Sequence, residues 1–540
     1  MEMMNRIKNR SKKVENKSQD GLRTTVKKRL FQEVFKSINS KWKRWVVMVV
    51  DEDALRIVSN VIGMYDLMEH RVTLVDSLEK KRAPFLDMAV VYFVAPTESS
   101  IDAIIKDWQN APLPRSKAES NNNNNEAVEQ KKPQQLYADA VFLYFLDRVP
   151  NDLFAKIKQC KPLVTRIRTL SELNIDFLAK EERTFHLDMK PSHILRNLYR
   201  QFGSSDVQEK ITNKLVTVCA TMNEFPHVRF MEESPLSQAI ARGFHAKMQE
   251  FIGNSPNWWY YGDGKHNARD RSTLLVLDRQ FDPLSPFMHE FTYQAMANDL
   301  LKIKDDKITY KADAMNPSSS NTTNAAPDQT EASSPKKSNK TEKEVLLNDN
   351  DALWMELRGK HIADVIQNLS TRIRDVVNSN SGAVYTKDSG KNLSIEQMAS
   401  ALKSLPEYRE IMSKISQHMY ISHQCMDLFN KQKLLDLSDL EQTLATGQDE
   451  DGRRPKLSEL MEQVKATLPD LNTISKLRLL GILMVSQKQN LPPEDLEELF
   501  ELSGMKKEQI QVLRNLSHLG VTIQGPDPTT TSEKFGNMIL

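Results

Sequence analysis

The sequence is poor in cysteine and has no long apolar run. Its 540 residues contain three cysteines, Cys160, Cys219 and Cys425, which are odd in number and widely separated. This usage excludes a disulfide framework and any CxxC metal motif, and it favours a reducing compartment. No apolar run approaches the roughly 20 residues that a membrane span needs, and the basic N-terminus lacks the apolar core of a secretory signal. We therefore expect a cytoplasmic protein.

The chain also lacks an excess of charge of either sign. Its 74 Lys and Arg residues nearly cancel 72 Asp and Glu residues, which leaves a formal charge of +2. There is thus no global indication of nucleic-acid binding. The basic residues of segment 1–28 predict a disordered arm. Such an arm could be attracted to an anionic membrane, but we favour a solvated tail because one such cluster binds weakly.

Glycine is missing where a nucleotide site would need it. The turn after the first predicted strand is Asp51-Glu52-Asp53-Ala54, which places three carboxylates where a phosphate would lie. The segment GDGK at 262–265 resembles the end of a phosphate loop. However, Trp259 occupies the position of its first glycine and His266 that of its magnesium-binding hydroxyl. We expect no nucleotide cofactor.

Other catalytic motifs are incomplete or absent. His289 and Glu290 begin a zinc-protease pattern, but Tyr293 stands where HExxH requires its second histidine. No GxSxG motif occurs, and the cysteines have no catalytic neighbours. The sequence therefore predicts no metal, no cofactor and no enzyme.

Strand and helix signals alternate through the first third of the chain. RWVVMVVD at 44–51 is an apolar run typical of a buried strand, and VTLVDS, MAVVYFV, AVFLYFL and VTRIRTL repeat the signal with helical segments between them. Such alternation predicts a doubly wound parallel sheet over 28–173, interrupted by a polar insertion at about 111–136. Segment 174–271 gives mixed signals, with helices predicted at 192–202, 206–224 and 236–252 and a strand at 227–230.

The segment 272–301 predicts a strand, a rigid corner and a helix. Leu274–Leu277 is expected to be a buried strand, and the prolines that follow fix the turn. For Asp278, Arg279 and Asp282 we considered a ligand site, but favour a buried network of Arg with carboxylates that joins the strand to the helix.

Almost everything after this segment is predicted to be helical. Residues 312–342 carry scarcely an aliphatic side chain and predict a disordered loop. From Asn350, a candidate N-cap, apolar residues recur at helical spacing for nearly thirty residues, and the pattern returns after a polar loop at 378–393. Pro406 falls in the returning limb of this helical hairpin, where it would serve as a switch or merely as a stop. The residues alone favour a stop.

Several segments together resemble the Sec/Munc (SM) family of syntaxin-binding proteins. The strongest is LDRQFDPLSPFMHEFTYQAMANDLL, within 272–301. Further matches are VVMVVD, KKRAP at 80–84, TLSELNIDFL, LVTVCATMNEFPHVRF, DALWMELRGKHIADV and RNLSHLGV. The resemblance extends from about 28 to 525, and the exocytic, plasma-membrane branch is the most similar.

The resemblance implies an arch-shaped SM fold of three domains. Domain 1, at 29–173, would be the syntaxin-binding α/β domain, and domain 2, at 174–270, an incomplete α/β domain. The family completes domain 2 with residues beyond the helical domain, where this chain ends, so we expect an unpaired sheet edge. Domain 3, at 271–525, would be mainly α-helical and include the loop 312–342. The arm 1–28 and the tail 526–540 complete the chain.

The resemblance also implies partner-binding positions. Phe154, Leu170 and Glu172 would hold the N-terminal peptide of a syntaxin on the outer face of domain 1. The inner face would contact the folded syntaxin through Asp51, Arg56, Asp76, Lys80, Lys81 and Arg82. Gly63 stands where many exocytic relatives carry a lysine, which weakens that contact here. The signature residues Asp278, Arg279, Asp282, Pro286, His289, Glu290 and Tyr293 would be structural.

The function implied is that of a non-enzymatic regulator of vesicle docking and membrane fusion. It would clasp a syntaxin-type SNARE and template SNARE assembly, with a vesicle SNARE and the assembled SNARE bundle as further partners. Pro406 lies where the family's helical limb bends or extends, which gives the switch interpretation new support. A monomer is expected that reaches the plasma membrane or secretory vesicles only through its partners. The alternative is a nucleotide-using α/β enzyme with an unrecognised site.

Overall fold

A computed structural model gives the fold of the chain. It describes residues 21–113, 135–189, 194–199, 205–255, 258, 271–304, 306–311, 342–384, 406–487 and 491–521. The chain divides into two compact units, Met1–Phe281 and Asp282–Leu540. No helix among the described residues combines the length and apolar character needed to cross a bilayer.

The first unit is built on a five-stranded sheet in the order β2-β1-β3-β4-β5, in which every pair is parallel. The strands are β1 (Val46–Val50), β2 (Val72–Ser77), β3 (Ala89–Val94), β4 (Val141–Phe145) and β5 (Ile167–Glu172). The helices between them are α3 (Glu52–Val61), α4 (Met64–Glu69), α5 (Glu98–Trp108), α6 (Asn151–Gln159) and α7 (Lys161–Val164). The doubly wound parallel sheet predicted from the alternation is confirmed.

The central strands are apolar throughout because both of their faces are covered. Every residue of β1, β3 and β4 is buried. Successive side chains alternate between two core layers, so that Met48 belongs to one layer while Val47 and Val49 belong to the other.

A helical segment precedes the sheet and packs against it. It comprises α1 (Leu22–Arg29), a π-helical turn (Leu30–Phe35) and α2 (Lys36–Lys41). Leu22 and Val26 are buried in the core layer that contains Met48. The disordered arm predicted over 1–28 is therefore wrong for 22–28, where apolar residues at helical spacing are hidden among cations. The first 20 residues lie outside the described part of the chain.

The rest of the first unit contains short strands and long helices. These are β6 (Leu178–Glu181), β7 (Thr184–His186), α8 (Ile194–Tyr199), α9 (Ser205–Met222), β8 (His227–Phe230), α10 (Pro235–Asn254) and β9 (Thr273–Val276). Because β9 pairs in parallel with β8, the boundary predicted at 271 is wrong, and this strand belongs to the first unit. The strand is also not buried, since Leu275 is 57% exposed.

The second unit begins with a short 3-10 helix at Ser285–Phe287 and is largely helical. Its helices are α11 (Tyr293–Leu300), α12 (Ala352–Leu357), α13 (Ile362–Val384), α14 (Pro406–Lys431), α15 (Leu434–Thr446), α16 (Leu457–Thr467), α17 (Thr473–Ser486), α18 (Pro493–Ser503) and α19 (Lys507–Arg514). An antiparallel pair, β10 (Lys307–Lys311) and β11 (Glu342–Leu346), was not predicted. The loop predicted over 312–342 lies outside the described residues except for Glu342, which begins β11. The whole of the predicted tail, 526–540, also lies outside them.

Candidate functional site

The carboxyl edge of the first sheet brings together the three residues predicted to hold a syntaxin peptide. The helix α6 starts six residues after β4 and carries Phe154, while Leu170 and Glu172 lie on β5. Phe154 and Leu170 are half-buried and pack against the same core layer. Glu172 ends its strand opposite Phe145, is exposed, and accepts a hydrogen bond from the Val149 backbone N–H at 2.9 Å. This edge thus presents apolar surface beside a fixed carboxylate.

Lys158 is a further residue of this site that the sequence analysis missed. Its Nζ atom lies 4.5 Å from the centroid of the Phe154 ring, within cation–π range. The two residues are four apart on α6, a spacing at which helical side chains meet. The four-residue spacing could have indicated this contact from the sequence alone. The contact places a cation at the apolar part of the site.

An open cleft of about 550 Å³ adjoins Glu172. Its lining includes Asp147, Arg148, Lys247 and Glu250, and Arg148 forms an ion pair with Glu250 at 2.7 Å. Burial raises the pKa of Asp147 to about 6, and the nearby carboxylates of Asp176 and Glu172 act in the same direction. The cleft was not predicted, because its walls are contributed by α9 and α10, which lie far from β4 in the sequence.

Two of the six predicted inner-face residues are internal. Asp51 is 8% exposed and accepts hydrogen bonds from Ala54 N at 2.9 Å, Ala95 N at 2.7 Å and Ser100 Oγ at 2.9 Å. Burial raises its pKa against the lowering effect of these bonds. Asp51 therefore caps α3 and joins it to the segment after β3, which corrects its assignment as a partner contact.

Arg82 is also internal. Its side chain is 5% exposed and contacts both carboxylate oxygens of Asp107, at 2.5 and 2.6 Å. Tyr92 donates to the same carboxylate at 2.7 Å, and burial raises the pKa of Asp107. Because this guanidinium is buried and paired with Asp107 inside the domain, it is not the exposed partner contact that the resemblance implied.

The other inner-face residues are more accessible. Lys80 and Lys81 are exposed, whereas Asp76 is half-buried and accepts from the Ser77 backbone N–H at 2.8 Å. Arg56 keeps 47% of its side chain exposed and forms an ion pair with Asp188 at 2.6 Å.

Gly63 caps the start of α4, and its N–H donates to Asp66 at 3.1 Å. A Cβ atom added at Gly63 would approach nothing closer than Asp66 Oδ2 at 3.8 Å, so the backbone has room for a side chain. Met64 and Tyr65 follow at once and are 47% and 76% exposed. The sequence analysis did not identify this apolar surface.

Asp278, the first residue of the signature, is structural. It is 7% exposed and accepts hydrogen bonds from the hydroxyls of Tyr199, at 2.5 Å, and Ser234. Burial and the adjacent carboxylate raise the pKa of Tyr199. Arg279 is exposed, so the predicted network is not buried at its arginine. Asp278 is held by the two hydroxyls and by the Gln280 backbone N–H, which donates to it at 2.9 Å.

The signature residues of the second unit also serve its fold. Asp282 accepts from the backbone N–H groups of two residues that follow it, at 3.2 and 3.0 Å. His289 Nδ1 lies 2.8 Å from Glu441 Oε1, and both side chains are buried. Pro286 and Glu290 are exposed, and Glu290 accepts from Thr292 N at 3.1 Å.

Tyr293 is part of a buried polar network. Its hydroxyl lies 3.0 Å from His418 Nδ1, and His418 Nε2 lies 3.4 Å from Asp351 Oδ2. Asp351 also accepts from Lys414 Nζ at 2.9 Å. The network joins α11 and the start of α12 to α14. The described part of the last of these helices starts at Pro406.

Among the residues whose placement the structure describes, no three His, Cys, Asp or Glu side chains are grouped so that they could hold an ion.

Comparison with known proteins identifies the family. The Sec1 family profile matches residues 46–537, and the chain belongs to the Sec1 family. Protein transport protein sec1 of Dictyostelium discoideum is 32% identical over 510 residues, which cover 93% of this chain and 75% of that relative. SNARE-interacting protein KEULE of Arabidopsis thaliana is 27% identical over 532 residues, which cover 94% of this chain and 70% of that relative.

Two solved structures are similar to this chain over most of its length. The crystal structure of the Unc18–syntaxin 1 complex from Monosiga brevicollis matches with a TM-score of 0.71 and 27% identity, over 94% of this chain and 81% of that chain. The SM protein Vps45, solved in complex with the Qa SNARE Tlg2, shares the fold with a TM-score of 0.65 and 18% identity, over 96% of this chain and 80% of that chain. The family and the SM fold predicted from the signature segment are confirmed.

Proposed function

We propose that this chain is a SNARE-binding regulator of vesicle docking and membrane fusion. The observation that carries the proposal is the likeness, over 94% of the chain, to an Unc18 protein solved together with syntaxin 1. The chain clasps a syntaxin-type SNARE and organises its assembly with other SNAREs, without catalysing a reaction and without a cofactor. It acts as a monomer on the cytoplasmic side of the plasma membrane or of secretory vesicles.

The carboxyl edge of the first sheet is the proposed site for the syntaxin N-terminal peptide. Phe154 and Leu170 offer half-buried apolar surface, and Glu172 offers a charge that the Val149 N–H holds in place. A short peptide with one apolar and one basic anchor fits this arrangement, because the anchors give specificity through different physical interactions. Lys158, above the Phe154 ring, favours an acidic residue in the same peptide.

The proposed inner face contains fewer accessible residues than the resemblance implied. With Asp51 and Arg82 internal, the exposed cations Lys80 and Lys81 remain, together with Arg56 and Asp76. Exposed lysines at a rim influence association rate and register more than affinity. Met64 and Tyr65 beside Gly63 are the exposed apolar residues that supply contact area near this face.

The helical hairpin is the proposed site for a vesicle SNARE and for the assembled bundle. A long amphipathic limb offers a groove in which partner helices lie. We expect Pro406→Ala to favour the extended limb, because alanine restores the backbone donor that proline lacks. The extended limb should bind a vesicle SNARE more strongly in a pull-down, and unchanged binding would count against the switch.

Calorimetric titration with the cytosolic part of a plasma-membrane syntaxin tests the proposal. We expect binding, and weaker binding when the N-terminal peptide is removed. Glu172→Gln is the sharpest variant, because the amide keeps an acceptor for Val149 N but loses the charge. It should weaken binding of the intact syntaxin by about 1.5–3 kcal/mol, the contribution of a hydrogen bond to a charged group. It should not affect the peptide-deleted form.

Glu232→Gln is the matched control, since Glu232 is exposed on the same unit. No binding by a folded chain would refute the proposed function.

The alternative, a nucleotide-using enzyme, predicts a thermal shift with ATP, GTP or NAD. A ligand at 100 times its dissociation constant adds about 2.7 kcal/mol to the free energy of unfolding.

A further inference from the structure

The amino edge of the first sheet carries a cluster of cations and aromatic rings that the proposed function does not use. One segment of this cluster begins at Lys41, the last residue of α2, and continues through Trp42, Lys43, Arg44 and Trp45 to β1. Residues 34–50 contain four cations and no carboxylate. All three cations of the segment are exposed, and Trp45 is 46% exposed. We call this segment, together with Arg71, the basic-aromatic edge.

The pairing of β1 with β2 places Arg71 beside this segment. Val46 begins β1 and pairs with Val72, and its N–H donates to the Arg71 carbonyl at 2.9 Å. Arg71 has a φ of 66°, in the left-handed region, which turns the chain tightly into β2. Its guanidinium donates to the Lys43 carbonyl at 3.0 Å, so a fourth exposed cation is held against the segment.

Apolar side chains extend the same edge. Leu74 is the register partner of Val47, two residues after Trp45, so Leu74 and Trp45 share one face of the sheet. Leu74 is 37% exposed, and Leu86, just before β3, is 60% exposed. Cations and partly exposed apolar groups therefore both occur at the amino edge, a composition that fits an interface between water and an apolar phase.

We propose that the basic-aromatic edge binds the surface of an anionic lipid bilayer. Trp45 would lie at the level of the lipid headgroups, where an amphipathic ring is most stable. Lys43, Arg44 and Arg71 would face lipid phosphates, whereas Lys41 Nζ donates to Thr169 Oγ1 at 2.8 Å. The Arg44 guanidinium lies 6.0 Å from the centroid of the Trp42 ring. Trp45 remains 46% exposed and is therefore accessible to a bilayer.

A membrane fits this edge better than an acidic protein does. The cations are spread along an exposed rim with apolar side chains between them, and a bilayer satisfies both kinds of group without matching individual positions. Glu69, Asp87 and Asp139 are the carboxylates of neighbouring segments that oppose the attraction. Asp139 is offset by its ion pair with Arg166 at 2.7 Å.

Co-sedimentation of the full chain with vesicles tests the proposal. We expect binding to vesicles of phosphatidylcholine with about one third phosphatidylserine, and little binding to phosphatidylcholine alone. A cation near an anionic surface contributes about a fivefold change in affinity, so Lys43→Ala with Arg44→Ala should weaken binding about 25-fold. Salt at 0.5 M should weaken it as well, because exposed charges are screened.

Lys506→Ala with Lys507→Ala is the matched control, because these two exposed lysines are also adjacent and lie in the other unit. This control should bind like the unmodified chain. Charge-conserving Lys43→Arg should also bind normally. If Lys43→Ala with Arg44→Ala, folded as judged by circular dichroism, binds as well as the control, the proposal is refuted.

The aromatic part of the proposal has its own measurement. Brominated phospholipid should quench tryptophan emission of the bound chain, and Trp45→Phe should remove most of that quenching while vesicle binding persists. Unchanged quenching would overturn the assignment of Trp45. Binding of soluble polyglutamate, without binding to phosphatidylserine vesicles, would assign the edge to an acidic protein and overturn the membrane proposal.

Discussion

Asp351 caps a helix and belongs to a buried polar network in the second unit, so its loss should have a large local effect. One of its oxygens accepts from Leu353 N and Trp354 N, both at 3.1 Å, and so caps α12. The other accepts from Lys414 at 2.9 Å and faces His418 at 3.4 Å. The residue is 5% exposed. Asp351→Ala therefore removes a helix cap and leaves a fully buried imidazole without its acceptor.

The expected cost follows from these contacts. Loss of an N-cap costs about 1 kcal/mol. Loss of a buried hydrogen bond to a charged group costs about 1.5–3 kcal/mol. Because the Lys414 side chain is 46% exposed, its ion pair adds little. We expect a loss of about 3 kcal/mol of local stability, which corresponds to roughly 150-fold faster amide exchange in α12 and α14.

Hydrogen exchange measured by mass spectrometry resolves this effect, because it reports each helix separately. Asp364→Ala is the matched control, since Asp364 is exposed in the first turn of α13. Asp351→Asn should give an intermediate result, because asparagine also caps helices well but carries no charge. Equal exchange in the Asp351→Ala and Asp364→Ala variants would refute this account of the network.

The pH dependence gives an independent check. Burial raises the pKa of Asp351, but hydrogen bonds from His418, Lys414 and Trp354 N outweigh it and hold the pKa below its usual value. A depressed pKa stabilises the fold above the unfolded value of about 3.9, and the contribution is lost as the pH falls further. The difference between the original chain and Asp351→Asn should thus shrink as the pH falls below about 4. A difference that persists undiminished at about pH 2 would contradict it.

Three further predictions concern other buried groups. Asp147→Asn should raise the melting temperature at pH 7.5 but hardly at pH 4, because the raised pKa of about 6 means that the folded state disfavours the charged carboxylate above that pH. Gly481→Ala should destabilise the second unit by about 1–3 kcal/mol, since the new methyl group would lie 2.7 Å from the Phe287 ring. Adding Phe287→Leu should recover part of the loss in denaturant melts. Arg82→Ala should cost about 3 kcal/mol or more by breaking a buried ion pair, whereas Lys81→Ala should leave the melting temperature unchanged.

The sequence was sufficient to predict the sheet of the first unit, and the reason is physical. A parallel strand covered on both faces must be apolar throughout, so β1, β3 and β4 appear as uninterrupted runs of five or six residues. The same reasoning failed for β9, where an equally apolar run is half exposed. Periodicity reports the composition of a strand, not whether other chain segments cover it.

The charged residues could not be sorted in this way, because their roles depend on distant partners. Asp51 is internal through its bonds to Ala95 and Ser100, and Arg82 through Asp107. His289 meets its partner 152 positions further along the chain. The local sequence showed that charged residues follow the strands, and this pattern occurs both at an exposed rim and in a buried network. The three-dimensional structure is needed to tell which charged residues are exposed and which are buried.

The parallel sheet also determines which of the proposed surfaces can act together. Lys80, Lys81 and Glu172 follow or end their strands, whereas Trp45 and Arg71 precede theirs. A five-residue strand is about 17 Å long, so the proposed syntaxin site and the basic-aromatic edge lie on opposite rims of one rigid layer. A membrane at the amino edge would leave the carboxyl edge open to a SNARE. Vesicle-bound chain should therefore bind a soluble syntaxin N-terminal peptide as tightly as free chain does. Competition between the peptide and the vesicles would show that one of the two surfaces is misplaced.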